Sequence, residues 1–195
     1  MLVANETVAD HLEKHRMPAL FRVHEAPDPT KVAEFEAFAA SLGFSLGVPA
    51  ERVTPGHFQR LLRRVHGKPE ERPLAFLMLR TMQQARYDPA NLGHFGLAAP
   101  AYAHFTSPIR RYPDLVVHRA LRELRADAPD TERRERWRED LPELARRTSA
   151  LERRAEEAER EIVQWKKVRF MVQKVGDEFN GNVIGVTAPL GCSWS

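Results

Sequence analysis

At 195 residues the chain has room for one domain, or one domain plus a fragment of another. Its 43% hydrophobic and 29% charged residues suit a soluble protein with a real core, and a net charge of +3 permits an anionic partner without demanding one. The single cysteine, Cys192, excludes an internal disulfide and argues against a cysteine-based zinc site, so a reducing, cytoplasmic setting is expected.

The opening MLVANETVADHLEKH is charged and has no long apolar run, so it is neither a signal peptide nor a membrane anchor, and no membrane partner is expected. It reads as helix from its first residues, with Val3, Val8 and Leu12 on related faces. A domain seldom starts inside a helix, which leads us to expect residues upstream. Asp28 can N-cap a second helix with Pro29 in its first turn; Val32, Phe35, Phe38, Ala39 and Leu42 recur at helical spacing, and Gly43 can close it. The same punctuation returns at Thr54-Pro55, with Phe58, Leu61, Leu62 and Val65 as the apolar stripe and Gly67 as the stop. A further helix is expected from Pro73 to about Arg86, with Leu74, Leu77, Met78 and Met82 inside.

Residues 92–105 bring glycines and aromatics and suit short strands or an extended loop lining a cleft. Pro108 permits a helix from about Ile109 to Arg125, which would begin at Arg110-Arg111 and aim its N-terminal amides at whatever those arginines hold. Residues 126–140 read as a charged connection with some helix. A long helix is expected from Pro142 to Lys174. Its heptad-like seam of Leu144, Thr148, Leu151, Ala155, Ala158, Ile162 and Trp165 is best read as packed against the protein's own domain. Beyond a boundary near Val175, VGDEFNGNVIGVT suggests strands, in a segment too short for an independent domain.

The stretch HFGLAAPAYAHFTSPIRRYPDLVVHRAL, residues 94–121, concentrates the chemistry. An arginine pair just past a Thr-Ser-Pro turn, rimmed by aromatic rings and imidazoles, suits a backbone phosphate with a base stacked beside it. Plainer readings exist for each residue. Arg110 could form a surface salt bridge, Arg111 could pair with Asp114 rather than touch a phosphate, and Tyr102 and Phe105 could be core. His104 and His118 lack the spaced partners of a zinc site. The glutamates Glu152, Glu156, Glu157, Glu159 and Glu161 read mostly as a solvated helix face, and Trp165 as core.

From His94-Phe95-Gly96-Leu97 through Tyr102, Phe105-Thr106-Ser107-Pro108-Ile109-Arg110-Arg111-Tyr112, Asp114 and His118, the chain resembles the RNB family of ribonuclease II and ribonuclease R exoribonucleases. Tyr102-Ala103-His104-Phe105 and the run from Arg110 to Leu115 look closer to the ribonuclease R branch. Weaker likeness covers residues 19–29, 87–98 and 151–165.

The resemblance implies a mainly helical α+β fold. Residues 1–174 would be the C-terminal part of an RNB catalytic domain, and residues 175–195 the truncated start of an OB-fold RNA-binding domain. It implies magnesium-dependent hydrolysis of single-stranded RNA from the 3′ end. Arg110 would lie against the scissile phosphate, where removal of one such donor costs about 10²–10³ in rate. Tyr102, His104, Arg111, Tyr112, His118 and Arg119 would line or brace the RNA channel, and Glu159 would sit near the terminal nucleotide.

The chain departs from the family in its metal site. The family holds magnesium in four closely spaced aspartates, whereas Asp10, Asp28, Asp88 and Asp114 are scattered here. The expectation is a partial catalytic domain whose metal ligands are supplied from elsewhere, such as a separate polypeptide. Alternatives are a non-catalytic RNA-binding fragment or an inactive product of a split or frameshifted gene. One choice of synonymous codons for residues 189–195, read two bases on, gives Phe-Gly-Leu-Phe-Val-Glu, a continuation the family pattern favours; a frameshift after Ala188 is therefore expected.

Overall fold

The computed structural model describes residues 1–126, 130–179, 183–187 and 191–194. Three helices form one core. Asp28 caps α2 (Pro29–Ser41), its side chain accepting from the Thr30 amide at 2.9 Å. The Thr54 amide donates to His57 Nδ1 at 3.0 Å at the start of α3 (Pro55–Val65). With α4 (Glu71–Thr81) these helices enclose Val32, Phe35, Phe58, Leu61, Leu74 and Met78. Phe38 and Leu42, expected inside, are more than a third exposed.

The expected run of α4 to Arg86 is corrected. Met82 turns extended, and Arg86–Asp88 forms a strand, β2, paired antiparallel with β1 (Phe21–Val23). The register sets Arg22 opposite Tyr87, so both side chains leave the same face. A second core joins α1 (Leu2–Lys14) to β1 and to α5 (Tyr112–Leu124) through Ala9, Leu12, Val23, Ala103 and Val117.

The long helix, α6, spans Thr131–Val172 and so begins well before Pro142. Asp130 caps it, accepting from the Arg133 amide at 2.9 Å. Leu141, Ala145 and Ser149 are its buried face, packed with Leu20, Tyr87 and Val116. That face differs from the expected heptad seam. Leu151, Ile162 and Trp165 are exposed, Trp165 to 59%; the last two lie beyond Glu156, where the described bonds from α6 to the body end. Beyond it, β3 (Val183–Thr187) pairs antiparallel with β4 (Gly191–Trp194). Residues 188–190 and 195, where part of the frameshift reading falls, lie outside the described residues.

Candidate nucleic-acid interface

The arginine pair sits one step earlier than expected. Arg111 is the N-cap of α5, and Ile109 and Arg110 belong to the turn before it. The turn closes through the amides of Arg110 and Arg111, both bonded to the Ser107 carbonyl, at 3.3 and 3.1 Å. Asp114, fully buried, braces it from below. Its Oδ1 accepts from the Ser107 amide at 2.8 Å and from Arg111 Nη2 at 2.8 Å. Arg111 is thereby committed to an ion pair, the plainer of its two sequence readings. The Arg110 side chain is exposed and forms no hydrogen bond or ion pair among the described residues.

Around this turn the other sequence candidates separate into two groups. Tyr112 is 45% exposed, and the exposed Arg119 lies about two helical turns further along α5, with its guanidinium 5.9 Å from the Tyr112 ring centre. Like Arg110, both are exposed. Tyr102 is not. It is 5% exposed, its hydroxyl accepts from Asn5 Nδ2 at 2.8 Å, and its carbonyl accepts from the Arg22 amide. This burial fits the core reading of Tyr102, as a brace that holds the loop against α1 and β1. His118 also works inward: Nε2 donates to the Phe105 carbonyl at 2.9 Å and the ring stacks on Phe105 at 4.3 Å.

His104 is half-buried beneath the turn, its Nδ1 2.9 Å from the Tyr87 hydroxyl. Burial, together with the cations Arg111 and Arg22, pushes it down to about 4, so it is uncharged near neutrality. His94 is likewise pushed to about 4 by burial, with His24 stacked beside it at 5.1 Å. The Tyr87 hydroxyl is pushed up to about 12 by burial and the nearby Glu152 carboxylate, and keeps its proton.

Sequence reasoning missed the layer under the turn. Arg22 pairs with Glu152 from α6 and lies over the Tyr87 ring at 4.8 Å. Ser149 Oγ accepts from the Tyr87 amide at 2.9 Å. Positions 22, 87, 104, 149 and 152 share no local spacing, so nothing short of the fold brings them together. Glu159, the carboxylate singled out from sequence, lies beyond Glu156, whose bond to Gln84 is the last from α6 to the body among the described residues. No described contact joins Glu159 to the Arg110 turn.

The residues present do not fit a magnesium ion. Asp10 is tied to Lys14, Asp28 caps α2, Asp88 is bonded to Arg86 and to the Ala90 amide, and Asp114 is enclosed by Ser107 and Arg111. Among the described residues no three His, Cys, Asp or Glu side chains converge as a metal site would require. No step through a metal is therefore assigned to this chain.

An unpaired guanidinium on a braced turn, with an exposed ring and a second cation alongside, is the kind of surface that grips phosphates and stacks bases. A family model described as the RNB domain matches residues 1–127, and the chain belongs to that family. It is similar to ribonuclease R 1 of Lactococcus lactis, 44% identical over 187 residues that cover 96% of this chain and 23% of that protein. Ribonuclease R of Aquifex aeolicus is 47% identical over 189 residues, 96% of this chain and 26% of that one. The chain thus spans about a quarter of the length of the curated relatives it matches. Its fold is that of Mycoplasma genitalium RNase R, solved alone and in complex with ribose-methylated single-stranded RNA. For each, the TM-score is 0.92 and identity 28%, over 100% of this chain and 30% of that one.

Proposed function

We propose that this chain forms an RNA-facing wall of a 3′-to-5′ exoribonuclease of the ribonuclease R type, with Arg110 against the phosphate to be broken. The observation that carries the reading is the exposed, unpaired Arg110 on a turn that Asp114 pins at both the Ser107 amide and Arg111. A guanidinium with no partner in the protein is available to donate to phosphate oxygens and to offset the charge that builds on them during cleavage. Tyr112 offers a stacking face and Arg119 a second cation along the strand. Arg111, Tyr102 and His118 act from behind, as braces. A cytoplasmic setting belongs to the same reading.

Cleavage in this reading also needs magnesium ligands that the described residues do not assemble. The resemblance puts them in the earlier part of the catalytic domain. This favours a second reading for the chain taken by itself, as a surface that binds single-stranded RNA without cutting it. Incubating the chain with end-labelled single-stranded RNA, with and without magnesium, tests both. The expected result is a complex that weakens with added salt and releases no mononucleotides. Failure to bind RNA at low salt overturns the first reading, and release of mononucleotides overturns the second.

A further inference from the structure

We infer that His104 is an uncharged hydrogen-bond donor to RNA, presented through Nε2, and that Tyr87 is the positioning residue that holds it in that form. The inference rests on the RNA-binding reading above and adds the chemical form of one contact. Tyr87 has one hydroxyl proton, and the only acceptor found within bonding distance of it among the described residues is His104 Nδ1, at 2.9 Å. Donation in that direction satisfies the hydroxyl; the reverse would leave its proton unpaired in a buried position. With Nδ1 used as an acceptor, the imidazole carries its proton on Nε2.

Tyr87 is well placed to enforce this. Its amide is held by Ser149 on α6, its strand is paired with β1, and Arg22 covers its ring. The hydroxyl therefore has little freedom to swing away. The charged and titratable groups facing His104 come from every neighbouring element. Arg22 on β1, Arg111 at the start of α5 and His94 in the loop oppose a positive ring, while Asp114 alone favours one. Tyr87 and Tyr102 meet the ring edge-on at 5.7 and 5.8 Å, and Glu152 is engaged with Arg22.

The consequence is chemical. Beside Arg22 and Arg111, a third cation would be repelled and would cost desolvation when RNA covers it. A neutral N–H avoids both costs and still donates to a phosphate or ribose oxygen, as neutral imidazoles do in other polar sites.

Two measurements on the intact chain test this. The first is the ring-nitrogen spectrum of 15N-labelled protein: His104 should show a bare Nδ1 and a protonated Nε2 at neutral pH, and Tyr87→Phe should convert it to a mixture of forms. The second is affinity for a short single-stranded oligoadenylate across pH. Wild type should hold a constant contribution from His104 down to about pH 5, read as the ratio of its affinity to that of His104→Phe. Loss of one neutral hydrogen bond should make His104→Phe about five- to tenfold weaker, and His104→Gln, whose amide can reach the Nε2 position, should recover most of it. In Tyr87→Phe the contribution should shrink, because part of the rings then carry the proton on Nδ1.

A ring protonated on Nδ1 overturns the inference, as does equal loss in the Phe and Gln variants, which would mark a packing role. If a variant fails to melt cooperatively, the wild-type spectrum decides. RNA binding with the wrong ring form sinks this inference alone. The right ring form without RNA binding sinks the RNA reading and the donor role with it.

Discussion

Arg111 and Asp114 grip each other across the first turn of α5, Nη2 to Oδ1 at 2.8 Å, and the same oxygen holds the Ser107 amide. One buried carboxylate thereby fixes both ends of the turn that presents Arg110. Removing one partner of such a pair strands the other, so Asp114→Ala should cost about 3–5 kcal/mol in stability. Asp114→Asn keeps an oxygen for the Ser107 amide and should cost less. Urea unfolding measures both; an alanine variant as stable as wild type would mean the pair braces nothing.

Tyr112 should contribute to RNA binding by stacking, since its ring is exposed two residues past Arg110. Tyr112→Ala should weaken oligonucleotide binding by about 1–3 kcal/mol, as expected for one base on one ring. Its thermal midpoint should be almost unchanged. Fluorescence anisotropy titration gives the first and a melting curve the second.

Glu152 fastens α6 to the layer beneath the turn through Arg22, with both side chains largely out of solvent. Glu152→Ala should cost about 1–3 kcal/mol, between the values for surface and buried pairs. Amide exchange in residues 149–156 should accelerate while that in α2 and α3 stays slow. Uniform acceleration would place the effect elsewhere.

Acid should destabilise the fold through His94 and His104. Both are depressed to about 4 when folded, from an ordinary value near 6.5, so the unfolded chain takes up more protons between those limits. Their stabilising effect is complete above about pH 6.5 and is lost as pH falls toward 4. The melting midpoint should drop across that window, and a His94→Gln, His104→Gln double variant should drop less. Equal slopes would remove these two histidines from the account.

Helix punctuation was the most legible part of the sequence. Asp28-Pro29 and Thr54-Pro55 mark the starts of α2 and α3 because capping is a local interaction, complete within a few residues. The two short strands were not legible. Phe21–Val23 and Arg86–Asp88 are too short for an alternating pattern, and their pairing spans the whole three-helix core. Pro142 obscured the start of α6, whose true cap is Asp130. Arg110, Arg111 and Tyr112 could be named from a compact motif. Arg22, Tyr87 and Glu152, which support them, could not, because only tertiary packing makes them neighbours. Burial also decides between readings that sequence leaves open. It turns Tyr102 inward and leaves Trp165 outside, although both are aromatic residues in plausible core positions.

The most direct test is equilibrium binding of single-stranded RNA by the wild-type chain and Arg110→Ala, measured over a range of salt concentrations. Loss of one phosphate contact should weaken binding and make the plot of log affinity against log salt shallower by about 0.7, with the melting curve unchanged. Identical affinity and identical salt dependence in the two proteins would contradict the placement of Arg110 on the RNA.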